Sequence, residues 1–293
     1  MIVKRMYPES KPIPYHVLYI MIPIISLLGN GAIVYVTLRS RVLRSPCNIL
    51  IALVSLSDMM IISSNLISTT YHNIVQSETI PQPTCVYIQL MSLFASCTSP
   101  LFLLAIAIDR LLSMTAFYKV LKASYSRIYI VAQILPGCIL GITLDVLILI
   151  YRKPEEKVVC TLTVPMQGPI MDVYLKLVIV VCILIILCNL SFTFFLKKLR
   201  MSSEKSKSIV RSVVIISLSV VLGYFSTMII LSVRGVLNLN IEAFYLTLIA
   251  GLFTNLSISV NFFVYYAIRL QRISRNIRQS SWDWPSQSFA VQS

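Results

Sequence analysis

Residues 85–112 read CVYIQLMSLFASCTSPLFLLAIAIDRLL, and this stretch decides the fold. No side chain from Cys85 to Ile108 is charged, and then Asp109 and Arg110 follow in succession. A lipid hydrocarbon core of about 30 Å is crossed by around 20 apolar residues at 1.5 Å rise each, so the run suffices to span it as a helix. Arg110 stands twenty-five residues beyond Cys85. At helical rise that is about 37 Å, the core plus part of each interface. One helix thus carries a cysteine at one membrane face and an Asp-Arg pair at the other.

Outward from this stretch, comparable runs lie near 14–38, 48–71, 127–150, 172–196, 205–233 and 243–268, which makes seven spans with 85–116. Apolar residues run all round them, as from Val178 to Leu187, whereas strands of a membrane barrel would alternate over about ten residues. An all-α, seven-transmembrane helix bundle is therefore expected over residues 1–279, with a cytoplasmic tail at 280–293. Residues 269–279 are expected to form an amphipathic eighth helix. There Leu270, Ile273 and Ile277 share one face, and Arg269, Arg272, Arg275 and Arg278 surround the other. A cleaved signal sequence is the competing reading of the first run. It is set aside because the run continues to Leu38 and meets Arg39, Arg41 and Arg44.

Hydrophobic residues make up 57% of the 293 and charged residues 12%, about half the ordinary share, with a mean hydropathy of +0.83. Neither a soluble globule nor a disordered chain fits those figures. The net charge of +14 would suit nucleic acid if the basic residues formed one stripe with interleaved aromatics. Instead, seventeen of the 25 fall within 39–44, 110–127, 197–211 and 269–278, all on one side of the seven spans. Basic loops stay in the cytoplasm, which puts the N-terminus outside. Anionic inner-leaflet lipid, and no nucleic acid, is the partner this rim predicts. The chain shows no internal repeat of the transporter kind and no His-Glu-x-x-His or Gly-x-Ser-x-Gly, so an enzyme is not expected.

Of seven cysteines, only Cys85 and Cys160 map to the outer, oxidising side, and a disulfide between them is the natural reading. Without Cys-x-x-Cys spacing, and with both histidines in outer segments, a metal centre has little support. Asp58 lies near mid-membrane, where an ionisable residue is costly and marks function. Asn30, Ser99, Asn255, Ser257 and Asn261 are its candidate neighbours; such a set holds Na⁺ or shifts its protonation, or else serves as a static clamp between helices. Asp145, near the outer end of span four, is read as reaching solvent. In isolation Asp109-Arg110 reads equally well as a solvated pair at a helix end; its distance from Cys85 and the polar set around Asp58 favour function.

Taken together these residues resemble the rhodopsin-like class of G-protein-coupled receptors over essentially the full chain. The family's span-one Gly-Asn is Gly29-Asn30, and its Leu-x-x-x-Asp is Val54 to Asp58 with Leu replaced. Asp109-Arg110-Leu111 stands for Asp-Arg-Tyr, and Asn261-Phe262-Phe263-Val264-Tyr265 for Asn-Pro-x-x-Tyr. The stretch from Leu43 to Leu53, with Ala107 to Leu111 and Asn261 to Tyr266, is similar to the nematode serpentine chemoreceptors of the SRSX class. The chain departs from the wider family in having no Trp before Trp282 and no internal Pro in spans five to seven. Tyr224 aligns with the toggle tryptophan, and Glu204 is the one acid near the inner end of span six.

The resemblance implies that an extracellular ligand biases a two-state bundle whose inner face admits a heterotrimeric G protein. Arg110 would meet the G protein, Asp109 would restrain it when idle, and Asn261 and Tyr265 would act as switches. Asn30, Asp58, Ser99, Ser257 and Asn261 would form a polar core around an allosteric Na⁺, with no other cofactor. Ser92, Leu93, Ser96, Tyr224 and Asn255 would line the ligand pocket. Ser92 occupies the place where amine receptors carry an acid, which disfavours a biogenic amine, and span seven has no Lys for a retinal Schiff base. The tail serines Ser280, Ser281, Ser286 and Ser288 would serve an arrestin. The implied location is the plasma membrane, in sensory-neuron cilia. A peptide ligand is the nearest rival, helped by Arg152, Lys153, Glu155, Glu156 and Lys157; a transporter or channel with Asp58 as ion relay is the distant one.

Overall fold

The computed structural model describes residues 20–40, 45–75, 79–115, 124–152, 156–158, 160–166 and 168–198, together with positions within 118–121, 215–230 and 251–266. Five long helices follow in chain order: α1 (Ile22–Arg39), α2 (Pro46–Val75), α3 (Gln82–Leu112), α4 (Ser126–Ile150) and α5 (Pro169–Lys198). Each includes a stretch long and apolar enough to cross a bilayer. A shorter apolar helix, Gly251–Val260, falls within the seventh expected span, and helical positions at 215–230 fall within the sixth. The eighth helix expected at 269–279 and the tail at 280–293 lie outside the described residues.

Four of the five long helices open with proline in the first turn: Pro23, Pro46, Pro83 and Pro169. There the ring's fixed φ suits the helix, and the missing N–H has no intrahelical partner to lose. The third helix stops at Leu112 instead of continuing to 116. Ser113 Oγ donates to the Arg110 carbonyl at 2.6 Å and Thr115 Oγ1 to the Leu112 carbonyl at 2.7 Å, so side-chain hydroxyls serve carbonyls left over at the helix end.

α3 is the axis of the described bundle. In its most apolar window 72% of residues are buried, against 33% in α1 and α5 and 22% in α4. It packs on α2, α4 and α5, and its Leu93, Phe102, Leu103 and Ile106 fill the principal core. α4 approaches it closely through two glycines one helical turn apart. A Cβ at Gly141 would come within 2.7 Å of the Phe94 ring, and one at Gly137 within 3.1 Å of Phe102. Small residues four apart are a common way for membrane helices to bring their backbones together. Away from that seam α4 exposes Ile128, Val131, Leu135, Ile139, Ile142 and Val146, and α5 exposes Val173, Val180, Leu184 and Leu187. Such contiguous apolar faces suit lipid contact.

One end of the bundle is covered by loop structure. Strand β1 (Ile80–Pro81) pairs antiparallel with β2 (Lys157–Val158), Ile80 opposite Val158 and Pro81 opposite Lys157. The Gln82 N–H donates to the Glu156 carbonyl at 2.8 Å. Cys160, just beyond β2, is joined to Cys85 in a disulfide of 2.07 Å. Ile80, Cys85 and Cys160 form a small apolar cluster with Tyr71, Ile88, Val158 and Val164 around them.

Candidate functional site

At the last turn of α3, Asp109 has no exposed surface. A buried carboxylate needs hydrogen bonds to offset its lost hydration. It receives two at Oδ1, from the Tyr118 hydroxyl at 3.0 Å and the Tyr129 hydroxyl at 2.9 Å. The two rings meet edge to face, 6.1 Å apart. Arg110 Nη2 lies 3.6 Å from Oδ2, an ion pair wider than a hydrogen bond. Cys47, from the first turn of α2, is another neighbour of the guanidinium, whose Nε is enclosed without a hydrogen bond. Burial, reinforced by the Asp109 carboxylate, pushes the Tyr118 phenol from 10.0 up to about 12. It therefore remains a protonated donor at any physiological pH.

Neither tyrosine was among the candidates from sequence. Tyr118 follows Asp109 by nine residues across a turn and Tyr129 by twenty in the next helix, and no regular spacing encodes that meeting.

Half-way along the bundle Asp58 is 2% exposed and Ser99 Oγ donates to its Oδ1 at 3.3 Å. The neighbouring rung, Ser57 to Thr98, also spans 3.3 Å and ties α2 to α3. Asn30 is fully buried, but its Nδ2 bonds to Ser26 of its own helix, at 3.1 Å to the carbonyl and 3.2 Å to Oγ. Its Oδ1 is enclosed without a hydrogen bond. Asn255 accepts from Asn65 Nδ2 at 3.3 Å, linking the Gly251–Val260 helix to α2. Ser257 is buried against Gly223, and Asn261 and Tyr265 lie outside the described residues. Of the oxygens expected around Asp58, Ser99 Oγ is the one with a described bond to its carboxylate. Asp145, read as reaching solvent, is half-buried with Oδ1 enclosed, five residues before the end of α4.

Towards the disulfide end a cavity opens between α3, α5 and the helical segments holding Thr227 and Thr254. Leu162, Thr163 and Met166, just after Cys160, form its roof; Met171, Tyr174 and Leu175 form a wall, and Ile61, Ser96, Thr227 and Thr254 lie below. The space open to the centre of a water-sized sphere is about 40 Å³, room for a few waters. A ligand of any size must therefore widen it. Of the expected pocket residues Ser96 lines this cavity. Ser92 and Leu93 are fully buried, Leu93 in the principal core; Asn255 is engaged with Asn65, and Tyr224 lies outside the described residues. The roof residues went unnoticed in sequence, although the Cys85–Cys160 link already implied that the chain beyond Cys160 crosses the bundle mouth. Outside the cavity, Arg152 Nη1 donates to the Tyr87 hydroxyl at 2.6 Å and its guanidinium lies 5.8 Å from that ring's centre.

Residues 23–278 match the family model described as serpentine type 7TM GPCR chemoreceptor Srsx. Among curated proteins the chain is 33% identical over 69 residues to compound eye opsin BCRH2 of Hemigrapsus sanguineus, which is 22% of this chain and 18% of that protein. It is 34% identical over 62 residues to compound eye opsin BCRH1 of the same species, 20% of this chain and 16% of that protein. The match thus spans under a fifth of either opsin's length.

Proposed function

This chain belongs to the serpentine 7TM GPCR chemoreceptor Srsx family, a rhodopsin-like G-protein-coupled receptor family, and from that premise we propose that it converts an extracellular small molecule into activation of a heterotrimeric G protein. In this reading the chain completes a seven-helix bundle in the plasma membrane of a chemosensory cell. Its N-terminus lies outside, and its basic rim lies on the anionic inner leaflet. The observation that carries the proposal is the position of two features on one helix. Ser96 lines the cavity near the disulfide, and Asp109-Arg110 closes the same α3 fourteen residues later, about 21 Å away at helical rise. A ligand that shifts α3 against α5 or the segments holding Thr227 and Thr254 therefore acts on one continuous helix, with Pro100 between the two features, whose far end holds the buried charge pair. The cavity is small and has no charged side chain among the described residues that line it, which favours a small molecule over a peptide.

The expected result is that Arg110→Ala, at equal surface level, removes ligand-driven guanine nucleotide exchange on the G protein by at least about tenfold, the size of one lost charge-assisted contact. A response of full size in that variant would sink the assigned coupling role. Tyr118 and Tyr129 act as positioning residues in the same device: by holding Oδ1 they keep Asp109 from closing on Arg110. Tyr129→Phe frees the carboxylate to complete that ion pair, so basal nucleotide exchange should fall several-fold, and further in Tyr118→Phe/Tyr129→Phe. A rise in basal exchange would instead identify the phenols as the restraint itself.

A further inference from the structure

Unmade hydrogen bonds gather where α3 and α4 meet around Asp109. Asp109 Oδ2 and Arg110 Nε are enclosed without a hydrogen bond, and so are both polar atoms of the Gln133 amide, Oε1 and Nε2. Each such group costs free energy, because the water it gave up has not been replaced. Gln133 stands one turn from Tyr129 on α4, where side chains four apart are neighbours, and its amide lies beside the Tyr129 hydroxyl. That hydroxyl has one proton to donate, and it points to Asp109 Oδ1 at 2.9 Å. The Gln133 amide is thus next to a donor that is engaged elsewhere.

A second arrangement makes the bonds that this one leaves unmade. A primary amide turns about its last side-chain bond with little preference and offers either oxygen or nitrogen, so Gln133 Oε1 is able to accept from Tyr129 once that hydroxyl swings away from Asp109. Asp109 is then held at Oδ1 by Tyr118 alone. The 3.6 Å gap between its Oδ2 and Arg110 Nη2 closes to the length of a charge-assisted hydrogen bond. Tyr129 makes one donated bond in either arrangement, while Gln133 Oε1 and Asp109 Oδ2 gain theirs in the second. We propose that Gln133 is a positioning residue of the charge pair: it accepts the Tyr129 hydrogen bond in the resting receptor and so releases Asp109 to close on Arg110. This rests on the reading of the chain as a G-protein-coupled receptor with Arg110 at the coupling face, and it adds the group that sets how active the unliganded receptor is. Packing alone does not call for an amide here, since an apolar side chain of the same length fills the space without enclosing two unpaired polar atoms.

The test uses the full-length receptor in lipid nanodiscs with its G protein, and reads nucleotide exchange without ligand beside the melting transition. Gln133→Met keeps the length of the side chain and removes the amide. It should raise unliganded exchange at least about fivefold, the size of one ordinary hydrogen bond, because the resting arrangement loses its acceptor. Gln133→Leu should do the same, so the result does not hang on one variant. In a Tyr129→Phe background neither change should matter, since no hydroxyl is left to accept from, and exchange should stay within about twofold of Tyr129→Phe alone. Exchange that falls or stays level in both single variants, or that rises equally with and without the Tyr129 hydroxyl, would overturn the assignment and leave the receptor standing. Loss of the melting transition in both variants would show that the amide holds the fold, and would overturn it as well. Absence of exchange under every condition, from an unaltered receptor shown folded by its melting transition, would reject the receptor reading and this inference with it.

Discussion

Cys85→Ser is expected to lower the stability of the folded receptor by about 4 kcal/mol and to remove most of it from the cell surface. The bond closes a loop of sequence separation 75, so in the unfolded chain its loss releases a large conformational freedom that folding must then overcome. The bond also organises what lies beside it. Ile80, Val158 and Val164 pack around the two sulfurs, the β1–β2 pair lies immediately before them, and the cavity roof at Leu162 to Met166 begins immediately after. Cys160→Ser and the double variant should match Cys85→Ser, since each removes the same bond, and reductant should bring the unaltered receptor to the same melting temperature. A melting temperature that does not move in any of these would mean that the strand pair and apolar cluster alone hold the loop.

Gly223→Ala is expected to be the most damaging single-methyl change in the described bundle. A Cβ there would lie 2.4 Å from Ser257 Cβ, 2.6 Å from Ser257 Oγ and 3.3 Å from the Phe253 carbonyl. Two of those atoms belong to backbone or to the root of a side chain, so the helical segments themselves must separate. Overpacking of this kind costs on the order of 2 kcal/mol, and the Thr227–Thr254 bond one turn away is stretched with it. Gly251→Ala supplies the contrast. Its Cβ meets nothing within 4 Å, so the better helix propensity of alanine should leave stability unchanged or slightly raised. Ser257→Gly combined with Gly223→Ala should restore most of the loss, and a thermal-melt double-mutant cycle reads that coupling directly. Purely additive effects would show that the contact is not the cause.

Much of the fold was legible because the membrane imposes a simple rule on sequence. Apolar runs at 48–71, 127–150 and 172–196, each with at most two charged side chains, became helices Pro46–Val75, Ser126–Ile150 and Pro169–Lys198. The Cys85–Cys160 pairing was legible for a related reason, since the assigned topology left no other cysteines on that side. The seam between α3 and α4 was missed, because Gly137 and Gly141 look like weak helix formers until Phe94 and Phe102 are seen against them. The contact between Asp58 and Ser99 follows from helix register, whereas Asn30, assigned to the same set, turns its amide back to Ser26. Hydroxyl and amide groups in helices have local carbonyls within reach, so composition cannot tell which bond they choose. The clamp on Asp109 was hidden altogether, since two tyrosines from different segments converge on it only once α4 is docked.

The thin attachment of α4 bears on how the protein is made. A helix with a buried share of only 22%, seated through two glycines on the rings of α3, has no partner of its own before that neighbour is in place. Such a helix is expected to leave the translocon as an independent apolar rod and to join the bundle by lateral association within the bilayer. Its Tyr129 then brings the second phenol to Asp109. Among the five described long helices α4 has the smallest buried share, so closure of the α3–α4 seam is expected to be a late step of assembly, completed as Tyr129 reaches Asp109.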